Sequence, residues 1–198
     1  MPNHIKNILQ LKGEKSKVQE VFDYIKGERE SQFIDFEKIA TPPNYIYMGA
    51  SNQIIDEIFD SGQKKDLFFR DTDTWSTWCV RYWGTKWNAY DIVKQDNTII
   101  FDTAWNGVPR LILLLGDKFK EVDFFYKYAD EDWGNNLGYL NITDDGSPFM
   151  KNIDYKKIDS GTKEAFEFAS EVQGAINDYG EYVWNEEKQE IQFIDNED

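Results

Sequence analysis

Histidine and cysteine are almost absent from this sequence, which holds only His4 and Cys79. A single cysteine excludes an intramolecular disulfide and a thiolate metal cluster. A single histidine leaves Ser-His-Asp or Cys-His catalysis dependent on His4, at the start of the first predicted strand. No phosphate loop or dinucleotide glycine fingerprint occurs. We therefore expect no metal and no cofactor, and we interpret Cys79 as a small core residue.

Long apolar segments are also missing, since the longest run covers only Leu111 to Leu115. Such a run is too short to cross a bilayer, and no charged segment followed by an apolar one opens the chain. These absences, together with the single cysteine, predict a protein of the cytoplasm that does not bind membranes.

Basic residues are outnumbered by acidic ones, 22 to 37, which gives a formal net charge of −15. Such a charge repels nucleic acid phosphates and anionic membranes, so direct binding to nucleic acid is not expected. Two interpretations remain open. The charge keeps the protein soluble, or it forms an acidic surface for a host protein with a basic surface.

The 198 residues are 40% hydrophobic and 16% aromatic, which predicts a well-filled core in one domain, or in one domain with a small appendage. Near the N-terminus, alternation from Ile5 to Leu11 predicts a strand. A capping box at Ser16 then starts a helix that Gly27 closes in the left-handed conformation. The apolar stretch from Phe33 to Ile39 predicts a second strand, stopped by the two prolines that follow, so the N-terminal part is expected to be β-α-β.

Further elements are predicted along the chain by the same periodicities. They are a short helix from Ser51 to about Gly62, a helix with its apolar stripe from Trp75 to Trp83 capped by Asp71, Thr72 or Asp73, a strand from Ile99 to Trp105, a buried helix that begins at Pro109, and a hairpin of Val122 to Tyr128 with Leu137 to Ile142.

The cluster Asp144-Asp145-Gly146-Ser147-Pro148 is dense in residues that break regular structure. We place a boundary there, between a domain of residues 1–145 and an acidic appendage of residues 146–198 that packs on it. The appendage is predicted to hold a helix capped by Thr162 and a hairpin of Tyr182 to Trp184 with Gln189 to Phe193.

Four segments carry a resemblance to a known family. They are the opening Met1-Pro2-Asn3-His4, the segment Phe36 to Ile39 that runs into Pro42-Pro43, the block Trp83-Gly84-Thr85-Lys86-Trp87-Asn88-Ala89, and Phe101 to Trp105 with Pro109. They resemble the YubB-like family of phage and plasmid proteins over roughly residues 1–142, and the seven-residue block is the specific part. The resemblance implies a ferredoxin-like α+β fold, an antiparallel sheet with helices packed on it, and a mobile genetic element as the source. It implies no known catalytic mechanism.

The same block is the best candidate for a binding site, because indoles and side-chain donors stand next to a flexible glycine. Such a site suits a planar or anionic ligand. Alternatively, the indoles pack in the core while Lys86 and Asn88 brace a turn, and Asp102 pairs with Lys86 or Arg81. The candidate set is Arg81, Trp83, Lys86, Trp87, Asn88, Asp102, Trp105 and Glu131, and we expect Asp91 to converge with it.

Two functional hypotheses follow. The first is a non-enzymatic accessory protein of a phage or mobile element that binds, and in its sharpest form inhibits, a host cytoplasmic factor through an acidic surface, as an anti-defence protein or DNA mimic. The second is a protein that binds or sequesters a small nucleotide-like ligand at the block, with hydrolysis as its less favoured form. The sequence favours a function without catalysis.

Overall fold

The structure, a computed structural model, describes residues 2–43, 74–146, 151–176 and 179–196. In chain order its elements are β1 (His4–Lys12), α1 (Lys15–Ile25), α2 (Phe36–Ile39), α3 (Trp75–Tyr82), β2 (Tyr90–Gln95), β3 (Thr98–Ala104), α4 (Pro109–Lys118), β4 (Asp123–Asp130), β5 (Leu137–Asp144), β6 (Lys151–Ile158), α5 (Lys163–Gln173), β7 (Gly180–Asn185) and β8 (Glu190–Asp195).

Six strands form one antiparallel sheet in the order β2-β3-β1-β4-β5-β6, and β7 with β8 forms a separate hairpin. The main core lies between one face of the sheet and helices α1 to α4, and α5 packs on the opposite face, which we call the outer face. The predicted fold class is confirmed: the chain has a ferredoxin-like α+β fold with a small C-terminal hairpin. Within the described residues, no helix is long and apolar enough to span a membrane.

The first strand follows its predicted alternation. Ile5, Leu9 and Leu11 are fully buried against the helices, while Lys6 and Gln10 lie on the outer face. Helix α1 buries its predicted stripe of Val18, Val21, Phe22 and Ile25. The predicted capping box is wrong, because Glu14 rather than Ser16 is the N-cap residue, two residues earlier, and the Ser16 hydroxyl donates to the side chain of Glu14.

The predicted second strand is wrong, because Phe36 to Ile39 form the short helix α2. Asp35 caps this helix by accepting a hydrogen bond from the amide of Glu37, 3.0 Å away. The helix buries Phe36 completely. The segment is too short for the spacing of its apolar residues to distinguish a helix from a strand. The N-terminal β-α-β unit is therefore absent. Gly27 does not adopt the predicted left-handed conformation. Helix α1 ends at Ile25, and the amide of Lys26 donates to the carbonyl of Phe22.

Helix α3 confirms the predicted helix and buries Trp78 and Cys79, but Tyr82 of the predicted stripe is exposed. Thr74 caps the helix through the amide of Thr77. The alternative caps Asp71, Thr72 and Asp73 lie outside the described residues, as does the predicted helix after Ser51. Helix α4 begins with Pro109 in its first turn, as predicted. It is buried on one side only, because Leu113 and Leu114 are exposed.

The C-terminal part adds a strand that the sequence analysis did not foresee. Strand β6 pairs with β5 through eight consecutive residue pairs, directly after the breaker cluster at Asp144. Thr162 caps α5 and the predicted hairpin forms as β7 and β8, so both of these predictions are confirmed. The division of the chain at residue 145 stays a prediction.

A buried hydrogen-bond network joins three elements of the main core. The hydroxyl of Tyr126 on β4 donates to Oδ1 of Asn7 on β1 at 2.5 Å and accepts from the amide of Val108 at 2.6 Å. Asn7 in turn donates to Oγ1 of Thr103 at 2.9 Å, and Thr103 donates to the carbonyl of Asn106 at 2.7 Å. Buried polar groups need such partners, so the network fixes the connection from β3 to α4.

Substitution of Tyr126 by Phe removes the hydroxyl and leaves buried groups of Asn7 and Val108 without their partner. We expect the free energy of unfolding to fall by roughly 2–4 kcal/mol, measured by urea denaturation. The matched control is Tyr139→Phe on the outer face of β5, with an expected change within about 0.5 kcal/mol. Equal effects of the two substitutions would contradict a special role for the network.

Candidate functional site

The block from Trp83 to Ala89 connects α3 to β2, and its first residue belongs to the core. Trp83 is fully buried, and its indole Nε1 donates to the carbonyl of Ala40 at 2.9 Å. Its ring makes edge contacts with Phe36, Trp75 and Trp78. Trp83 therefore does not form the wall of an open binding site.

Two polar side chains of the block tie it to distant segments. Thr85 is buried and donates to the carbonyl of Ala104 at 2.9 Å, which fixes the block to the end of β3. Oδ1 of Asn88 accepts from the amide of Phe36 at 3.0 Å, and its Nδ2 donates to Oδ1 of Asp35 at 2.7 Å. Asn88 thus satisfies a free amide of α2 and orients the cap of that helix.

Lys86 and Trp87 of the block lie beside Trp105. The rings of Trp87 and Trp105 are 5.5 Å apart with a tilt of 53°, and Trp105 is 41% exposed. Nζ of Lys86 lies 5.7 Å and 5.5 Å from the centroids of these two rings, within the range of a cation–π interaction. We call the two indoles of Trp87 and Trp105, together with the adjacent Lys86, the indole pair. It offers aromatic surface and one positive charge.

The backbone of Trp105 is held in a strained conformation. Its φ of 65° is uncommon for a residue with a bulky side chain. Its amide donates to the carbonyl of Asn3 at 3.0 Å, and its carbonyl accepts from Nδ2 of Asn136 at 2.8 Å. Both backbone groups are thus satisfied, so the surrounding structure determines the place of this exposed indole.

Asp102 lies half-buried on the outer face of the sheet, where it pairs with Lys6 on β1 and Tyr90 on β2. Burial raises the pKa of the Asp102 carboxyl, Asp91 raises it further, and Lys6 and His4 lower it. Glu131 also raises it. The convergence of these carboxylates with the block stays a prediction. Among the described residues, no ion pair joins Asp102 to Lys86 or Arg81.

The sequence analysis did not foresee a polar contact beside Asp102. The Tyr90 hydroxyl lies 2.8 Å from Nδ1 of His4, and burial raises the pKa of Tyr90 to about 12. Oε1 of Glu131 accepts from the amide of His4 at 2.8 Å. The registers of β1, β2 and β3 bring Tyr90 to His4, and the pairing of β1 with β4 brings Glu131 to His4. No local pattern predicts these registers.

The remaining candidates lie apart from the indole pair. Arg81 is exposed near the end of α3, with its guanidinium 5.7 Å from the ring of Tyr82, and its carbonyl accepts from Arg110 at 2.8 Å. Cys79 is buried, and burial raises the pKa of its thiol to about 12, so the residue has no thiolate character at neutral pH. In the described ranges, no three His, Cys, Asp or Glu side chains converge to hold a metal ion.

Two open grooves lie near the block, and Asn88 lines both of them. A groove of about 560 Å³ runs along Arg29, Gln32 and the start of β2, and another of about 530 Å³ is bounded by Asp35, Lys38 and Asn88. Neither is lined by the indole pair or by Asp102. The candidate residues therefore separate into a structural set, Trp83 and Asn88, and two surface sets, the indole pair and the carboxylates around Asp102.

The C-terminal part of the chain has most of the net negative charge. Residues 159–198 contain 12 acidic and two basic side chains, a net charge of −10 out of −15 for the whole chain. Glu164, Glu167 and Glu171 form an exposed stripe along α5, and further exposed carboxylates follow on the hairpin at Glu181, Glu186, Glu187 and Glu190. We call these seven residues the acidic C-terminal surface.

Lysines neutralise part of this surface. Ion pairs join Lys156 to Glu164, Lys127 to Glu171, Lys163 to Glu186 and Lys188 to Glu190. Glu167, Glu181 and Glu187 make no ion pair with described residues. Two apolar side chains in this region, Ile176 and Ile194, are 73% and 54% exposed. Exposed apolar residues among charges are typical of protein–protein interfaces.

Comparison with known proteins supports the fold. The sequence profile of one family, described as a ferredoxin-like domain in Api92-like protein, matches residues 82–175, from the end of α3 to just beyond α5. The matched region includes β6 and α5, so it continues across the boundary predicted at residue 145. No curated protein and no solved structure matches the chain. The assignment to the YubB-like family stays a prediction.

The separation of the block into structural and surface residues predicts different effects of two substitutions. Asn88→Ala removes the hydrogen bonds to Phe36 and Asp35, so we expect the free energy of unfolding to fall by roughly 1–3 kcal/mol. Lys86→Ala alters only an exposed side chain, with an expected change within about 0.5 kcal/mol. Urea denaturation of both variants measures the difference. A neutral Asn88→Ala, or a Lys86→Ala that is equally destabilising, would contradict this division.

Proposed function

We propose that the protein acts without catalysis, as a binding protein that engages a basic surface of a host cytoplasmic protein through the acidic C-terminal surface. The observation that carries the proposal is the location of the charge. Two thirds of the net negative charge lies in the last 40 residues, whereas residues 1–158 hold 25 acidic and 20 basic side chains. Charge of one sign on one part of a protein accelerates and orients association with an oppositely charged partner.

The surface stands on firmly packed elements, which favours binding without a large ordering cost. Helix α5 buries Ala165, Ala169 and Val172 against the outer face of the sheet. The hairpin is held by Trp133, whose ring stacks on Tyr182 at 4.5 Å and whose Nε1 donates to the carbonyl of Gly174 at 3.1 Å. The backbone that carries these carboxylates is therefore held in place.

The more specific part of the proposal concerns the source and the target. The resemblance to phage and plasmid proteins supports a mobile genetic element as the source. In that setting the partner is a host defence protein whose basic surface normally binds nucleic acid, and the carboxylates take the place of phosphates. The stripe on α5 supports this form, because Glu164, Glu167 and Glu171 repeat along one side of the helix.

The indole pair supports a second candidate function, the binding of a small planar or anionic ligand. Trp87 and Trp105 expose aromatic surface on which a base can stack, and Lys86 supplies a positive charge. The two rings are in contact with each other, so a ligand would stack on their outer sides.

A pull-down from host lysate at moderate salt tests both functions, with retained proteins and heat-released small molecules identified by mass spectrometry. We expect one host protein in stoichiometric yield that is released by high salt. Glu167→Lys/Glu187→Lys should abolish its capture. The control Glu28→Lys/Glu30→Lys changes the net charge equally, at exposed residues outside this surface, and should retain the partner.

Two results would overturn the proposal. Equal loss of capture in the test and control variants would show that only the total charge matters. A released small molecule without a protein partner, abolished by Trp105→Ala, would instead establish the indole pair as the functional site.

A further inference from the structure

Strand β6 forms an open edge of the main sheet. Among the described strands it has a neighbour on one side only, and its eight pairs with β5 run without a bulge. The opposite edge strand, β2, has a register shift between Tyr90 and Val93, and Asp91 there has a φ of 48°. Bulges protect sheet edges from pairing with other chains, and β6 lacks this protection.

The exposed side chains of β6 differ between the two faces of the sheet. Ile153 and Tyr155 lie on the helical face, opposite Ile142 and Leu140 of β5, yet they are 56% and 47% exposed. Asp154 and Lys156 lie on the outer face. An open edge with two exposed apolar residues is a surface that another strand can cover.

Two of the four charges on β6 flank Tyr155 directly, with Asp154 before it and Lys156 after it. If two copies of β6 pair in antiparallel orientation with Tyr155 opposite Tyr155, Asp154 of each copy lies directly opposite Lys156 of the other. A register centred on Asp154 or on Lys156 would instead place like charges opposite each other, which is destabilising. Of the registers centred on Ile153, Asp154, Tyr155 or Lys156, only the one at Tyr155 sets Asp154 opposite Lys156.

We propose that the protein forms a homodimer in which the β6 strands of two copies pair in antiparallel orientation about Tyr155. The two sheets then continue as one twelve-stranded sheet, related by a two-fold axis perpendicular to it. A two-fold interface of this kind needs a surface that complements itself, and Asp154, Tyr155 and Lys156 provide one. The pairing also satisfies the open backbone groups along the edge.

The dimer is expected to be weak. One pair of edge strands covers less area than a typical stable interface. The net charge of −15 on each copy opposes association at low ionic strength. The dimer should therefore form in a concentration-dependent manner and strengthen when added salt screens the overall repulsion.

Sedimentation equilibrium of the full chain and two charge-reversal variants tests the pairing. Asp154→Lys places lysine opposite lysine twice, and Lys156→Glu places acid opposite acid twice. We expect each variant alone to dimerise at least roughly tenfold more weakly than the unaltered chain. An equimolar mixture of the two should regain dimers, because each lysine then faces a carboxylate.

Recovery in the mixture distinguishes pairing from a loss of folding, since a damaged monomer is not repaired by a second variant. Lys156 also pairs with Glu164 in its own chain, so the melting temperature of each variant is measured in parallel. A chain that stays monomeric at all concentrations and salt levels would overturn the proposal. So would a dimer that neither substitution weakens, or a mixture that does not recover.

Discussion

The hydrogen bond between the buried Tyr126 hydroxyl and the Asn7 amide is the constraint on which the rest of this structure depends. It joins the two central strands, and through Val108 and Thr103 it also fixes the connection that leads from β3 to α4. Trp105 lies in that connection and Thr85 binds the strand end just before it. A network inside the core thus determines where an indole appears at the surface, and removal of any member leaves a buried polar group unsatisfied.

Local patterns predicted most of the elements, and long-range contacts explain where they failed. The stripe of α1, the helix α3, the Thr162 cap and both hairpins follow from periodicity and capping. Phe36 to Ile39 form a helix whose first amide is satisfied by Asn88, 52 residues further along the chain, and no local pattern reports such a partner. Strand β6 was missed for a related reason: its sequence is polar and exposed, so pairing with β5, rather than burial, makes it a strand.

The seven-residue block illustrates how a specific sequence motif combines two roles. Trp83, Thr85 and Asn88 hold α2, α3 and β3 together, which explains their chemistry without any ligand. Lys86 and Trp87 are outside that framework and add to the surface at Trp105. The sequence allowed these roles only as alternatives for the whole block, one of which placed both indoles in the core and used Lys86 with Asn88 to brace a turn. The negative charge of the last 40 residues follows directly from the sequence, because this segment has 12 acidic residues and only two lysines.

The most direct test of the account is to locate the contact with the host partner by photocrosslinking in host cells. A photoreactive phenylalanine derivative is placed at Glu187 in the acidic C-terminal surface and, separately, at Trp105 in the indole pair. We expect a host protein to be crosslinked from position 187 and not from position 105. A crosslinked protein from position 105 alone, or from neither position, would contradict the account.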